Sequence, residues 1–293
     1  MHKIVFDCDN TMGVRNCDVD DGLTLLYLLG SEDIDLLGVT TTFGNSQIDI
    51  VYNNTKKMFD ELKINNIPLL KGAPSHESRQ SEASQYLVKI SQEYPREITL
   101  LATGSLTNLL GAYEIDNNFF SNLKKIVLMG GITEPLIING KNLSELNFSC
   151  DPEASFRVLS SDAKVTVLTG HICLQAIFGE NEYKRLMEDK YIKTYQYIRN
   201  KTIDWFEFIM HEFGIKGFYN WDIVAALYIT HPDLFDKNIE KVVSTAEDLK
   251  TGYLKIDSLN SKSYNINIPT KIVDINKFNN IIFDSWKRVN MYI

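Results

Sequence analysis

Six short runs of continuous apolar and β-branched residues constrain the fold of this chain most strongly. They cover residues 4–6, 36–42, 67–70, 98–102, 126–129 and 165–168. Each run is followed by a turn-forming stretch and then by a segment with the helical spacing of apolar residues. Continuous runs, in contrast to alternating ones, indicate strands that are buried on both faces. The sequence therefore predicts an α/β fold with a mostly parallel central sheet flanked by helices.

Polar residues and glycines follow the predicted strands at their carboxyl ends. These segments are Asp7 with Asp9, Gly44-Asn45, Thr103-Gly104, Gly130-Gly131 and Gly170-His171. In an open parallel sheet, ligands bind beyond the carboxyl ends of the strands. We therefore expect these segments, although they are far apart in the sequence, to converge on one rim of the sheet.

The character of the sequence changes near residue 180. Residues 184–211 are charged and rich in aromatic side chains and predict a helix, as do residues 221–235, which Pro232 is expected to end. Strand-like stretches follow at 242–245, 252–257 and 264–268, before a final helix. No repeat, low-complexity segment or clear linker interrupts the sequence. We therefore predict a single domain over residues 1–293, with the helices around 180–235 covering the rim.

The composition argues against several classes of protein. The net charge of −8 and the pI near 5.2 argue against a nucleic-acid binder and a polybasic membrane anchor. No apolar run reaches the roughly 18 residues that a membrane span needs, and the N-terminus lacks a signal-peptide profile. Four cysteines, at positions 8, 17, 150 and 173, show no CxxC spacing. This pattern argues against a zinc site or a disulfide framework and predicts a cytoplasmic location.

The stretch "IVFDCDNTMGVRNCDVDDG" contains five aspartates: Asp7, Asp9, Asp18, Asp20 and Asp21. Such a cluster repels itself unless a cation or a shared proton lies among the carboxylates. In one interpretation, "IVFDCDNTMG" matches the DxDxT motif of haloacid-dehalogenase-like phosphatases. Asp7 would then attack phosphorus, Asp9 would act as acid and base, and Mg²⁺ would neutralise charge. In the other, the aspartates hold a metal ion that activates water.

The segment "DVDDGLTLLYLLG" predicts a helix that starts at Asp20-Asp21, is buried by its leucines and ends at Gly30. Carboxylates in the first turn of a helix face the positive end of its dipole. One interpretation is that Asp20 and Asp21 only complement this charge. The other is that the pair extends the acidic site at the end of the first strand.

The sequence also resembles the inosine–uridine-preferring nucleoside hydrolases in six segments that occur in the family's order. They are the two aspartate pairs within residues 7–21, "VTTTFGN" (39–45), "LLATGSLTNLL" (100–110), "IVLMGG" (126–131), "SELNFSCDPEA" (144–154) and "NWDIVAALY" (220–228). One departure is the turn at residues 10–19, which is several residues longer than the usual family loop. The resemblance implies a Rossmann-like open sheet and hydrolysis of the N-glycosidic bond of ribonucleosides to free base and ribose.

The resemblance further implies a Ca²⁺ site held by the carboxylates of Asp9, Asp21 and Asp222 and by the backbone carbonyl of Thr103. Ca²⁺ takes six to eight oxygen ligands, and a bound ion would orient the sugar diol and lower the pKa of its water. Asp9 is expected to be the catalytic base that takes the proton of the attacking water. Direct attack by water implies inversion at the anomeric carbon.

The residues implied as ribose ligands are Asp20, Asn45, Asn139, Glu145 and Asn147. Asn147, near the ring oxygen, is implied in catalysis as well. Glu145 and Asn147 alternate on an extended segment, so both side chains can face the same way. The register of "IINGKN" leaves Asn142 as an alternative to Asn139, and either could be a turn residue.

The residue before Asp222 is Trp221, where many members of the family have a histidine that protonates the leaving base. An indole cannot donate a useful proton to the base but can stack on it, which is the device of the purine-specific branch. We therefore expect Trp221 to bind the base and purine nucleosides to be favoured. Candidates for further walls of the base site are Tyr86, Phe218 and Tyr219.

Other aromatic and basic residues have simpler interpretations. Trp205 and Trp286 lie in amphipathic helical patterns and are predicted to belong to the core. His76 could contact the base and His171 could approach the rim, but the simpler interpretation places both histidines outside the site. The resemblance implies a homodimer or homotetramer. A nucleoside-binding protein without catalytic activity is a third interpretation, based on the missing histidine and the long turn. The complete ligand set argues against it.

Overall fold

The computed structural model describes residues 1–259 and 262–291. Its strands are β1 (His2–Cys8), β2 (Ile34–Thr41), β3 (Leu69–Leu70), β4 (Thr99–Ala102), β5 (Lys125–Met129), β6 (Leu136–Ile138), β7 (Lys141–Leu143), β8 (Val165–Leu168), β9 (Ile177–Gly179), β10 (Gly217–Tyr219), β11 (Ile239–Val242) and β12 (Tyr264–Asn267). Its α-helices are α1 (Asp20–Gly30), α2 (Ile48–Leu62), α3 (Glu82–Glu93), α4 (Thr107–Ile115), α5 (Pro152–Leu159), α6 (Gly170–Cys173), α7 (Glu180–Glu188), α8 (Lys193–Phe213), α9 (Trp221–Thr230), α10 (Ala246–Leu249) and α11 (Ile275–Arg288).

Eight strands form the central sheet, in the order β11-β12-β8-β5-β4-β1-β2-β3. Neighbouring strands run parallel throughout, except that β11 at the edge is antiparallel to β12. Each of the six apolar runs contains or overlaps a strand of this sheet. The predicted fold class, a mostly parallel sheet flanked by helices, is therefore confirmed.

Two apolar cores lie against the sheet and explain why its strands are continuous apolar runs. In β1, Ile4 and Phe6 belong to one core together with α1, α9 and α11, whereas Val5 belongs to the other core together with α3 and α4. Cys8 follows the same alternation and is buried in the first core. Because both faces of β1 are covered by apolar cores, its residues can contact a ligand only at the carboxyl end of the strand.

The carboxyl end of the sheet is where two helix starts meet. Helix α1 begins directly after the turn that follows β1, and α9 packs against α1. Asp20 and Asp21 lie in the first turn of α1, and Asp222 lies in the first turn of α9. The predicted boundaries of α1, Asp20 and Gly30, are those observed.

Several predicted elements differ from the observed ones. The helix predicted over 184–211 is two helices, α7 and α8, because Asp189 leaves the helical conformation and its side chain accepts a hydrogen bond from the backbone N–H of Tyr191. Helix α9 stops at Thr230, and a 3-10 turn with Pro232 in its first position follows. Residues 252–257 make only isolated β-bridges. No helix in the described part of the chain is long and apolar enough to cross a bilayer.

Candidate active site

Three aspartates from two helix starts come together at the carboxyl end of the sheet. One oxygen from each of Asp20, Asp21 and Asp222 lies within 4.8 Å of the others, and all three residues are buried. Asp20 and Asp21 come from α1, whereas Asp222 comes from α9, two hundred residues further along the chain. The N-terminal ends of both helix dipoles favour these negative charges.

The electrostatics of this cluster are unfavourable without a cation. Burial, followed by the charges of neighbouring aspartates, raises the pKa of Asp21 and of Asp222 well above the usual value. Burial raises the pKa of Asp20 to about 6. Oδ2 of Asp21 is buried and has no hydrogen-bond partner. An unpartnered carboxylate oxygen among acidic neighbours is what a hard, oxygen-binding cation requires, so the residues fit a metal of the Ca²⁺ type.

Asp9 lies beside this cluster and is held by Asn45. The backbone N–H of Asn45 donates to Oδ2 of Asp9 at 2.5 Å, and its side-chain amide donates to Oδ1 at 3.2 Å. Burial raises the pKa of Asp9, while the hydrogen bond from the backbone N–H of Asn45 opposes this shift. A Cβ at Gly44 would lie 2.1 Å from Oδ2 of Asp9, so only glycine lets this strand end approach the carboxylate.

Thr103 and Asn147 connect two further strand ends to the aspartates. The hydroxyl of Thr103, after β4, donates to Oδ1 of Asp21 at 2.7 Å. The side-chain amide of Asn147 donates to the backbone carbonyls of Thr103 at 2.8 Å and of Met129 at 3.1 Å. The carbonyl of Thr103, predicted as a metal ligand, therefore lies within this network.

Glu145 is fixed by the backbone of its surroundings. Its carboxylate accepts hydrogen bonds from the N–H groups of Gly131 at 3.1 Å, Phe148 at 2.8 Å and Ser149 at 3.0 Å. Burial raises its pKa, and these backbone donors oppose that rise. Both Glu145 and Asn147 line the same cavity.

This cavity has a volume of about 300 Å³ and joins the aspartates to apolar walls. Its polar lining includes Asp18, Asp20, Asn45, Thr103, Glu145, Asn147 and Asp222. Its apolar lining includes Met129, Leu136, Ile138, Leu143, Trp205, Ile209, Phe213, Phe218, Tyr219 and Trp221. The rings of Tyr219 and Trp221 are 5.1 Å apart. The lining thus combines carboxylate, amide and hydroxyl groups with aromatic and aliphatic side chains, which suits a ligand that has a hydroxylated half and a planar half.

Two residues with assigned roles lie elsewhere. Asn139 is exposed on the turn between β6 and β7, with a φ of 47°, and its side-chain amide donates to the carbonyl of Phe213 at 2.8 Å. Asp7 is fully buried behind the cavity, where the side chain of Asn108 donates to both of its oxygens. Burial raises the pKa of Asp7 to about 7. A carboxylate enclosed in this way cannot attack a phosphate ester in the cavity, which removes the basis of the phosphatase interpretation.

Most of the other candidate residues also have partners away from the cavity. Tyr86 donates its hydroxyl to the carbonyl of Leu37, and a ring nitrogen of His171 lies 3.2 Å from the carbonyl of Glu134. His76 is not among the residues that line the cavity. The indole N–H of Trp286 donates to the carbonyl of Leu23 in the first core, as predicted for a core residue.

Trp205 is the main residue of the cavity whose position the sequence did not indicate. It packs partly on the core but also lines the cavity, and its buried Nε1 has no hydrogen-bond partner. Trp205, Ile209 and Phe213 are spaced by four residues along α8, which indicates a shared face but not what that face contacts. The long turn between β1 and α1 also contributes Cys17 and Asp18 to the lining.

Comparisons with known proteins identify the family of this chain. The profile of the family described as inosine-uridine preferring nucleoside hydrolase matches residues 4–280. Over 263 residues, the chain is 28% identical to uridine nucleosidase 1 of Arabidopsis thaliana, which covers 80% of this chain and 75% of that protein. It is 26% identical over 215 residues to the inosine-uridine preferring nucleoside hydrolase of Leishmania major, covering 64% of this chain and 66% of the relative.

Solved structures show the same fold. A purine-preferring ribonucleoside hydrolase from Gardnerella vaginalis superposes with a TM-score of 0.83 and 22% identity, covering 97% of this chain and 98% of the other. A plant nucleoside hydrolase superposes with a TM-score of 0.86 and 19% identity, covering 98% and 99%. With its profile matched over nearly the whole length, this chain belongs to the inosine–uridine preferring nucleoside hydrolase family, enzymes that cleave N-glycosyl bonds.

Proposed function

We propose that this nucleoside hydrolase is Ca²⁺-dependent and prefers purine ribonucleosides. The observation that carries the proposal is the cluster of Asp20, Asp21 and Asp222, with an unpartnered Asp21 oxygen, at the polar end of an aromatic-walled cavity. A cation and a ribose would share the polar end. The base would lie between the aromatic side chains.

Four groups would hold the ion: the carboxylates of Asp9, Asp21 and Asp222 and the carbonyl of Thr103. Asp20 belongs to the same acidic cluster, so it could bind the ion, a ribose hydroxyl, or both. When bound, the ion would lower the pKa of a coordinated water and orient the sugar diol. The choice of Ca²⁺ over a smaller ion rests on the number of oxygen atoms available.

The chain's own residues would supply the remaining steps. Asp9, oriented by its two hydrogen bonds from Asn45, would accept the proton of the attacking water. Asn45, Glu145 and Asn147 would bind the ribose, with Asn147 close to the ring oxygen. Because a single carboxylate would act as base and no second one as nucleophile, the product would have the inverted configuration.

The base preference rests on the aromatic lining. The indole rings of Trp221 and Trp205 line the cavity. An indole ring stacks over a larger area on a two-ring purine than on a one-ring pyrimidine, so stacking favours purine bases. The relatives' names point in both directions: the Arabidopsis relative is named for uridine, and the Gardnerella protein for purines. A direct comparison of substrates therefore decides this part of the proposal.

Two further proposals concern the setting of the enzyme. Cys8, Cys17, Cys150 and Cys173 all have free thiols, which fits the predicted cytoplasmic location. The predicted homodimer or homotetramer rests on the family resemblance. Sedimentation of the purified protein would test the assembly.

The central experiment measures the release of free base and reducing sugar from inosine, adenosine, guanosine, uridine and cytidine. Each substrate is assayed after treatment with EGTA and again after Ca²⁺ or Mg²⁺ is restored. We expect activity to be lost with EGTA, to return best with Ca²⁺, and to be highest on the purine nucleosides. Activity that survives complete chelation would overturn the metal proposal, and faster cleavage of uridine would overturn the purine proposal. Nucleoside binding without turnover, in the presence of Ca²⁺, would support the non-catalytic interpretation.

A further inference from the structure

The carboxylate of Glu145 is enclosed by backbone N–H groups and by a glycine from the last fifth of the chain. The N–H groups of Gly131, Phe148 and Ser149 donate hydrogen bonds to it. A Cβ placed on Gly252 would lie 2.1 Å from Oε2 of Glu145 and 2.4 Å from its Cδ and Cγ. The carboxylate of Glu145 therefore occupies the space that the side chain of any other residue at position 252 would fill.

Gly252 lies in a segment that is attached to the backbone next to Gly131. The segment follows α10, and Gly252 has a φ of 68°, in the left-handed region that favours glycine. The N–H of Ile132 donates to the carbonyl of Gly252 at 2.9 Å, and the N–H of Leu254 donates to the carbonyl of Ile132 at 2.7 Å. Gly131 in turn donates its N–H to Glu145. The segment and the carboxylate are thus fixed to the same short stretch of backbone.

Local hydrogen bonds fix the beginning of this segment independently of the cavity. Helix α10 starts with a capping box, in which Oδ2 of Asp248 accepts from the N–H of Thr245 at 2.8 Å and from its hydroxyl at 2.7 Å. The N–H of Gly252 donates to the carbonyl of Leu249 at 3.0 Å and closes the turn that follows. The position of Gly252 therefore does not depend on a bound ligand.

We propose that Gly252 is a positioning residue for ribose binding, which holds the carboxylate of Glu145 in the place where it accepts a hydrogen bond from a ribose hydroxyl. This inference rests on the proposed function, in which Glu145 is a ribose ligand. A side chain at position 252 would push the carboxylate away from its backbone donors and out of this place. A misplacement of about 1 Å in a group that positions the substrate can lower the rate by about a hundredfold.

Gly252→Ala tests the proposal, but it also places alanine in a left-handed conformation. Gly140→Ala is the matched control, because Gly140 has a φ of 79° and a Cβ added there would meet nothing within 4 Å. We expect both variants to melt at a lower temperature. Gly252→Ala should lower kcat/KM for inosine by at least about tenfold, as loss of a hydrogen bond to a charged group predicts. Gly140→Ala should leave kcat/KM within about twofold, and both variants should keep their Ca²⁺ affinity.

Analogues that each lack one ribose hydroxyl separate positioning from a general loss of structure. The inhibition constants of 2′-, 3′- and 5′-deoxyinosine are measured against inosine hydrolysis. Glu145→Gln keeps the shape of the side chain but replaces one acceptor oxygen, so it should weaken the two analogues that retain the hydroxyl bound by Glu145 and spare the third. Gly252→Ala should give the same profile, with about tenfold increases for two analogues and a change within about twofold for the third.

Asp248→Ala provides a second variant that adds no atom near Glu145. It removes the capping box of α10 and so loosens the segment that carries Gly252. We expect the same profile of inhibition constants with smaller increases, of about threefold, as the lower end of the contribution of one cap predicts. If Gly252→Ala shows no cooperative melting transition, the profile of Asp248→Ala decides.

Three results would overturn the inference. They are equal weakening of all three analogues by Gly252→Ala, a kcat/KM for inosine in Gly252→Ala that matches that of Gly140→Ala, and a Glu145→Gln variant that does not distinguish the analogues. In each case the unaltered protein would still cleave inosine, so the proposed hydrolysis would stand. Failure of the unaltered protein to cleave any nucleoside with Ca²⁺ present would instead overturn the proposed function and this inference together.

Discussion

The two ends of the cavity are built on different principles. The polar end, formed by Asp9, the two helix starts, Thr103 and Asn147, consists of strand ends and first helical turns with buried side chains. Hydrogen bonds from Asn45 to Asp9, from Thr103 to Asp21 and from Asn147 to the Thr103 carbonyl hold part of it in place. The aromatic end comes from α8, β10 and the hairpin β6–β7. What its side chains have in common is that they are apolar. Backbone geometry fixes the first, whereas side-chain replacement can reshape the second.

This difference would allow one fold to serve several substrates. Relatives named for uridine and for purines share the architecture with this chain. The polar end would perform the common chemistry, and the aromatic end would set the preference among bases. Substitutions at the two ends should therefore separate metal binding and turnover from base recognition.

The largest effect is expected from Asp222→Ala at the polar end. Removing one carboxylate from the acidic cluster should weaken Ca²⁺ binding by at least about a hundredfold and abolish turnover as a consequence. Isothermal titration with Ca²⁺ measures the first effect and base release the second. Asp162→Ala, at an exposed aspartate before the amino end of β8, is the matched control and should change neither. Normal Ca²⁺ affinity in Asp222→Ala would show that Asp222 is not a metal ligand.

The acidic cluster should also make the metal-free protein less stable as the pH rises. Asp20 and Asp7 have pKa values raised to about 6 and about 7, so the folded state binds more protons than the unfolded state between about pH 4 and pH 7. Stability should fall across that window, with the melting temperature dropping by about 2–4 °C for each kcal/mol lost. Calorimetry in EDTA measures this slope.

Excess Ca²⁺ provides the comparison for this measurement. The ion would hold the carboxylates in their charged form and offset their repulsion, so the dependence on pH should become shallower when it is bound. Asp222→Asn, which lacks one charge, should show a smaller dependence in EDTA than the unaltered chain. A melting temperature that rises between pH 5 and pH 7 without metal would show that the raised pKa values of the buried aspartates do not govern the stability of the metal-free protein.

Trp205→Ala tests the aromatic end and should have an intermediate effect. Loss of the ring should raise KM for inosine by about tenfold, in line with the contribution of one aromatic side chain to base stacking, and should leave Ca²⁺ affinity unchanged. Trp205→Phe keeps a ring but lacks the indole N–H, whose nitrogen is buried without a partner. If Trp205→Phe raises KM for inosine as much as Trp205→Ala does, the contribution of Trp205 to substrate binding comes from its indole N–H. An unchanged KM in both would remove Trp205 from the base site.

The smallest effect is expected from Asn139→Ala. This side chain is exposed and bonded to the carbonyl of Phe213, outside the cavity lining. The change should alter stability by no more than about 0.5 kcal/mol and leave kcat/KM within about twofold. A large rise in KM for ribosides would instead restore the predicted ribose contact and imply that the β6–β7 turn moves onto the substrate.

The convergence of the polar residues could be predicted because strand ends and helix starts have local signals in the sequence. An apolar run followed by Asp or Gly marks a strand end, and an Asp pair before leucines marks the start of α1. The aromatic end has no such signal. The spacing of Trp205 showed that it lies on an amphipathic face, but a face packed on a core and a face lining a cavity have the same spacing.

Other differences have similar causes. The hairpin β6–β7 has three-residue strands, too short for a periodic pattern, so its turn residue Asn139 could not be separated from a ligand. Asp20 lies in the acidic cluster alongside Asp21, although only Asp21 was predicted as a metal ligand. Adjacent residues on a helix usually point in different directions, and only the first-turn geometry brings both carboxylates towards Asp222.

The origin of the acidic cluster in two distant helices has a consequence for biosynthesis. A nascent chain that has emerged only through α1 carries Asp20 and Asp21 but lacks Asp222, which is made about two hundred residues later. The proposed ion-binding site would therefore be incomplete until the chain has been synthesised through α9 (Trp221–Thr230) and this helix has docked. Ca²⁺ binding would then require the completed tertiary structure. A stalled or truncated chain that lacks α9 would show no Ca²⁺ binding in a titration.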